Sequence, residues 1–188
     1  MAIQAKEEYH LDEIWLIPAG HSPNKDEFAM TPFQTRLLLC QIASLAYDWL
    51  KTDSIEIDSD KTSYTYRTLE KIQEKHQNEN HEFFFLMGAD SLHYFDKWVK
   101  PERICELATI LVINRDAFKE QELSQKISQI KQLFPARIYP VHCSKFDVSS
   151  SLIREWFASS DPKLRKRCRQ VLPEEVYRRI LSEHLYQK

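Results

Sequence analysis

Three apolar runs constrain the fold more than any other feature of this sequence. Residues 13–17 (EIWLI), 82–87 (EFFFLM) and 109–113 (TILVI) are nearly unbroken hydrophobic stretches, each ending in a glycine-bearing or polar turn. Runs so short and so continuous are strands buried on both faces, rich in β-branched and aromatic residues. The segments between them carry helical periodicity. Buried strands alternating with amphipathic helices give an α/β fold with a largely parallel sheet, since parallel neighbours need a long crossover.

The local signals are as follows. Residues 2–10 read as helix. Thr31-Pro32-Phe33-Gln34 reads as a capping box with proline at the first helical position. The helix after it, through Tyr47, puts Leu37, Leu38, Cys40, Gln41, Ile42 and Leu45 on one broad apolar face. Residues 54–58 alternate like a strand, and Thr62 or Ser63 is expected to cap a helix reaching about His76. Short helices are expected over 90–98 and 101–107, a longer one over 119–134, and a strand over 137–141. Helices over 149–159 and 173–186 close the chain. The order opens on a helix where a doubly wound sheet opens on a strand. The expectation is one domain over residues 1–188, N-terminally incomplete.

Composition narrows the class of function. The 188 residues are 43% hydrophobic and 29% charged, with a net charge of -2, which gives no reason to expect nucleic acid or an anionic membrane as partner. Cys40, Cys105, Cys143 and Cys168 form no CxxC pair, so reduced thiols in a cytoplasmic protein are expected rather than a disulfide framework or zinc site. No segment has the form of a signal peptide or a membrane span. Gly20 and Gly88 are the only glycines, where average usage would give on the order of 13. A glycine-rich phosphate loop is therefore not visible.

In open α/β sheets, ligands bind beyond the carboxyl ends of the strands. Reading past each strand gives Pro18-Ala19-Gly20 with Lys25, Gly88-Ala89-Asp90-Ser91, Asn114-Arg115-Asp116, and Ser149-Ser150-Ser151 opening a helix. An acid suits ribose hydroxyls and cations suit phosphate. A serine-tipped helix start offers backbone N–H groups to an anion. Arg154, one turn inside, can add a planar fork of donors.

These residues resemble a family. Gly88-Ala89-Asp90-Ser91-Leu92 followed by Lys97-Trp98 is similar to the central signature of bacterial nicotinate-mononucleotide adenylyltransferases. So are Thr62-Ser63-Tyr64-Thr65 with Thr68-Leu69, Val148 to Arg154 (against ISSTxIR), and Leu11 to Pro18 (against the second strand). The likeness runs in order from about Lys6 to Tyr186. It implies a Rossmann-like doubly wound, mostly parallel sheet of the nucleotidyltransferase type, with the first strand missing. The family's GGTFDPxHxGH stretch has no counterpart here, and His10 and His21 are not in an HxGH arrangement.

The implied reaction joins ATP and nicotinate mononucleotide into nicotinate adenine dinucleotide and pyrophosphate, with Mg²⁺ on the triphosphate. In that reading Trp98 stacks on the nicotinate ring, Asp90 accepts from ribose hydroxyls, and Tyr64 and Thr65 receive the nicotinate carboxylate. Lys25 and Arg115 meet the mononucleotide, and Ser150, Ser151 and Arg154 hold ATP phosphates. Lys25 stands where the family has PPHK, but here Asn24 replaces the histidine. No catalytic side chain is assigned, because the HxGH histidines are absent, and turnover by these residues alone is expected to be low.

Each residue also has a plainer reading. Trp98 suits a core beside Phe95, Asp90 a helix cap, Tyr64 and Thr65 an ordinary helix start, Arg115 a solvated loop, and Ser150, Ser151 and Arg154 a capped, exposed helix. Two other functions stay open. One is a non-catalytic nucleotide-binding relative; the other is an adenylyltransferase for nicotinamide mononucleotide or phosphopantetheine. Homo-oligomerisation is likewise open.

Overall fold

The computed structural model describes residues 1–21, 31–57, 62–114, 120–143 and 148–187. It is an α/β protein in which the strand pairs are parallel. Strands β1 (Ile14–Leu16), β2 (Leu50–Thr52), β3 (Phe84–Gly88), β4 (Thr109–Ile113) and β5 (Ile138–Val141) form two sheets. One is β1-β2 and the other β3-β4-β5, so β1 and β3 each pair on one side only among the described residues.

The helices are α1 (Ala2–Tyr9), α2 (Phe33–Ser44), α3 (Thr65–Lys75), α4 (Ala89–Leu92), α5 (Pro101–Leu107), α6 (Glu120–Leu133), α7 (Ser150–Ala158), α8 (Pro162–Val171) and α9 (Glu174–Ser182). A 3-10 turn spans Phe95–Lys97. No described helix is long and apolar enough to cross a membrane.

Central strand β4 is buried along its whole length. Because successive side chains point to opposite faces, Ile110 and Val112 enter one core with Tyr66, Leu69, Met87, Leu92, Ile104, Leu123, Ile127 and Ile130. Leu111 and Ile113 enter another with Ala5 and Val141, flanked by Tyr9, Leu11, Phe84 and Leu86. Each such aliphatic side chain contributes about 1.5–3 kcal/mol by leaving water. Helix α1 is tied to β5 by the Tyr9 hydroxyl donating to the Pro140 carbonyl at 2.5 Å, and by Glu8 against His142. A third core joins α2, α7, α8 and α9 around Trp156, Phe157, Cys168, Val176 and Ile180.

Several expectations are corrected. Helix α2 starts at Phe33 with Pro32 as its cap residue, and no side chain caps it. Thr31 precedes a proline, which favours extended backbone, and its hydroxyl pairs with the Tyr186 hydroxyl at 3.1 Å. The helix stops at Ser44, leaving Leu45 82% exposed rather than on the apolar face.

Residues 54–57 are not the second strand, residues 50–52 are, and Asp58 lies outside the described residues. Asp53 accepts from the Ile55 N–H at 2.9 Å, and Ile57 N–H donates to the Ser54 carbonyl at 2.8 Å. That local turn ends the pairing. Neither Thr62 nor Ser63 caps α3, whose cap residue is Tyr64. The Ser63 hydroxyl is drawn instead to the buried Glu56.

Helix α8 was not expected. Asp161 caps it by accepting from Lys163 N–H at 2.8 Å, with Pro162 opening the helix. The Asp-Pro pair is a readable start signal for it.

Candidate active site

The parallel registers bring the carboxyl ends of β3, β4 and β5 to one edge, with Gly88 opposite Ile113 and Ile113 opposite Val141. At the end of β3 the chain turns straight into α4, carrying Asp90. A Cβ built on Gly88 would meet the Asp90 Oδ1 at 2.2 Å, so the carboxylate lies folded over the strand terminus where only glycine leaves room. Gly88 has φ -78 and ψ 154, ordinary extended backbone. The glycine is needed for close approach, not for its dihedral freedom.

Trp98 follows the 3-10 turn. Its indole is half-buried, with ring centroids 5.5 Å from Phe95 and 6.1 Å from Phe85. The core placement beside Phe95 is therefore real. Its Nε1 is buried without a hydrogen-bond partner, which is unusual for a tryptophan N–H.

Tyr64 packs against the same core as Trp98. Tyr64 and Thr65 open α3, a helix whose cap residue contributes no side-chain bond. The Arg67 guanidinium covers the Tyr64 ring at 5.4 Å, and Lys100 covers Tyr66 at 4.8 Å. These contacts tie the start of α3 to the segment after Trp98.

Glu56, only 4% exposed, receives hydroxyl bonds from both Ser63 and Thr68. It braces the residues on either side of Tyr64 and Thr65. Sequence pattern alone does not point to it, because residues 54–58 read as a strand.

The loop leaving β1 reaches this same region. His21 pairs as a parallel bridge with Thr62, and the Ser63 N–H donates to the His21 carbonyl at 2.7 Å. Arg36 of α2 donates to the carbonyls of Thr31 at 2.9 Å, Ala19 at 2.6 Å and Gly20 at 3.3 Å. Burial lowers its pKa, although a guanidinium stays charged. A cavity of about 180 Å³ opens here between Gly20, His21, Phe33, Arg36 and Ile57. Arg36 is a second residue the sequence reading missed, since it lies inside a helix and not past a strand end.

Ser149, Ser150, Ser151 and Arg154 lie on α7. Ser149 is the cap, accepting from Leu152 N–H at 3.1 Å, which leaves Ser150 and Ser151 exposed on the first turn. Arg154 is exposed, with its guanidinium 5.4 Å from the Tyr186 ring centroid. Tyr186 bonds Thr31, whose carbonyl Arg36 holds. A continuous path of contacts thus runs from α7 to the β1 exit loop and the start of α3. The link from α7 toward the strand ends runs through that loop. Lys25 and Arg115 lie outside the described residues.

A larger cleft of about 460 Å³ lies elsewhere, lined by Lys6, His10, Asp12, Tyr47 and Trp49. It sits where the chain enters β1 and β2, at their amino ends. Parallel sheets place their chemistry at the opposite edge, so size alone does not make this cleft the site.

The sequence profile described as Cytidylyltransferase-like matches residues 1–156. A protein of Clostridium botulinum (strain Okra / Type B1) named probable nicotinate-nucleotide adenylyltransferase is 31% identical over 187 residues, covering 99% of this chain and 90% of its own length. The chain belongs to the nicotinate-nucleotide adenylyltransferase family.

A member of this family from Bacillus cytotoxicus is 30% identical over 186 residues, covering 97% of this chain and 88% of that protein. Among solved structures, Plasmodium falciparum nicotinic acid mononucleotide adenylyltransferase complexed with NaAD superposes with a TM-score of 0.72 at 20% identity, over 94% of this chain and 83% of that one. The same enzyme complexed with APC also gives 0.72, at 19% identity, over 98% and 89%. The shared architecture is the Rossmann-like nucleotidyltransferase fold.

Proposed function

We propose that this chain transfers the adenylyl group of ATP to nicotinate mononucleotide, forming nicotinate adenine dinucleotide and pyrophosphate in NAD biosynthesis. The observation that carries the reading is the family signature at Gly88 to Asp90, seated at the carboxyl end of β3 in a chain 31% identical to a named family member over nearly its whole length.

The mononucleotide's phosphate oxygen attacks the α-phosphorus of ATP, and the bond to the β-phosphate oxygen breaks as pyrophosphate leaves. Such a step asks the protein for alignment and charge stabilisation rather than covalent help. The Asp90 carboxylate accepts from ribose hydroxyls. Trp98 offers its indole to the pyridinium ring, a cation on an aromatic face. Tyr64 and Thr65 present the start of α3 to the nicotinate carboxylate, and Glu56 holds that start in place. Ser150, Ser151 and Arg154 contact the triphosphate, with Lys25 and Arg115 as further cations.

Magnesium would arrive on the triphosphate. The hydroxyls and single carboxylate of this edge are oxygen donors that suit it, and a cation bound through phosphate needs few protein ligands. When bound it would neutralise charge on the phosphates. We place the protein in the cytoplasm, a setting that fits its four unpaired thiols.

Chromatographic detection of nicotinate adenine dinucleotide, beside a coupled pyrophosphate assay and a calorimetric titration, tests the proposal. Product formed from the acid mononucleotide, and faster than from the amide or from phosphopantetheine, is expected. Binding without pyrophosphate release would instead favour a non-catalytic relative.

A further inference from the structure

The turn between α3 and β3 gathers three metal-binding side chains that the proposed reaction does not use. His76, Glu79 and His81 each bring a ligand atom into one cluster, all within 4.8 Å of one another. The His76 Nδ1 is 3.4 Å from Glu79 Oε1, and the His81 Nε2 is 2.5 Å from Glu79 Oε2. The bond from His81 is the largest influence holding the Glu79 carboxyl below its ordinary pKa.

A second observation comes from His76 itself. Its Nε2 is buried without a hydrogen-bond partner, and its Nδ1 meets only the Glu79 carboxylate, at 3.4 Å, although an imidazole ordinarily uses one nitrogen as donor and one as acceptor. Leaving such atoms unsatisfied costs free energy. The ring is gripped between Trp15, at a centroid distance of 4.9 Å, and His81, at 5.5 Å. It is thus positioned firmly yet polar at its edge, as a ligand is.

We propose that His76, Glu79 and His81 form a binding site for one divalent transition cation of the zinc type. Two imidazoles and a carboxylate are the donors such ions prefer, with water in the fourth position. A tetrahedral centre with bonds of about 2.0–2.1 Å needs its donors roughly 3.4 Å apart. The His76–Glu79 separation already matches. His81, exposed and in a turn, supplies the rest by rotating out of its bond with Glu79 and toward His76.

The site also has a structural consequence. Trp15 belongs to β1, and the His81 ring lies tilted against Phe83, the residue before β3, with centroids 5.9 Å apart. Those two strands belong to separate sheets. A metal here would brace the aromatic ladder that connects them, stabilising the folded state by mass action.

Calorimetric titration of chelator-treated protein with Zn²⁺ tests this. One equivalent should bind, and His81→Gln should weaken binding by about 10-fold or more, at least what loss of an outer-shell partner costs. Because His81 is exposed, that variant should keep its far-UV circular dichroism. At equal concentration Zn²⁺ should raise the melting temperature of the wild type more than that of His81→Gln. Ni²⁺ should quench tryptophan emission, and the quenching should fall in Trp15→Phe. Unchanged stoichiometry and affinity in both His81→Gln and Glu79→Gln would overturn the proposal, as would an absence of Zn²⁺ binding by the wild type.

Discussion

Gly88→Ala separates the role of Asp90 from the integrity of the fold. The backbone at Gly88, φ -78 and ψ 154, is open to alanine. The only obstacle is the Asp90 Oδ1, 2.2 Å from the new Cβ. Nothing real approaches that closely, so the carboxylate must swing off the strand end. Being the tip of a rotatable side chain, it can do so cheaply.

Stability should therefore change little. Replacing glycine at a compatible dihedral gains about 0.4–1 kcal/mol through the unfolded chain, against the contacts Asp90 gives up. A chain of this size shifts by about 2–4 °C per kcal/mol, so melting should stay within a few degrees of wild type. Binding should respond far more. Hydrogen bonds to a charged acceptor contribute about 1.5–3 kcal/mol, which is a loss of about 10- to 150-fold in Kd for nicotinate mononucleotide. Calorimetry reads that directly, with thermal melting alongside. Asp90→Ala should show a similar loss, and the double variant Gly88→Ala/Asp90→Ala should be no weaker than Asp90→Ala alone. Wild-type affinity in Gly88→Ala would refute the reasoning.

Other consequences can be checked separately. Glu56→Ala strands the Ser63 hydroxyl and leaves Thr68 only its long bond to the Tyr64 carbonyl; it should cost about 1–3 kcal/mol in thermal unfolding and raise KM for the mononucleotide. Arg154→Ala, on an exposed helix turn, should raise KM for ATP by on the order of 10-fold while leaving KM for the mononucleotide nearly unchanged. The tie between α1 and β5 should depend on pH. Bonding to Glu8 raises the His142 pKa above its usual 6.5, so its contribution is complete below that value and fades as pH climbs through the raised one. Partial burial pushes Glu8 up, but bonding to His142 outweighs it and leaves the carboxyl below 4.5, so its contribution fades on acidification. The pair is strongest between about pH 4.5 and 6.5, and as an exposed pair it is worth at most about 1 kcal/mol; hydrogen exchange of the α1 amides would follow it.

The buried strands were legible because their chemistry is local. TILVI has one sensible fate, and it became the fully buried β4. Glycine at position 88 likewise marked the end of β3. What escaped reading was decided by partners far along the chain. Thr31 looks like a cap until Tyr186 claims its hydroxyl, and Ser63 looks like one until Glu56 does. Residues 54–57 alternate as a strand would, yet Asp53 bends them into a turn. Arg36 braces the candidate site from inside a helix, and Glu56 from the turn after β2, a strand end that the alternating pattern of residues 54–58 concealed. Asp161-Pro162, by contrast, was a local signal for α8.

The central claim is that the strand ends hold a pyridine nucleotide between Trp98 and Asp90. Tryptophan emission during titration with nicotinate mononucleotide tests it most directly. The account requires saturable quenching that vanishes in Trp98→Phe and persists in Trp15→Phe. Quenching that survives in Trp98→Phe, or none in the wild type at concentrations where calorimetry shows binding, would contradict it.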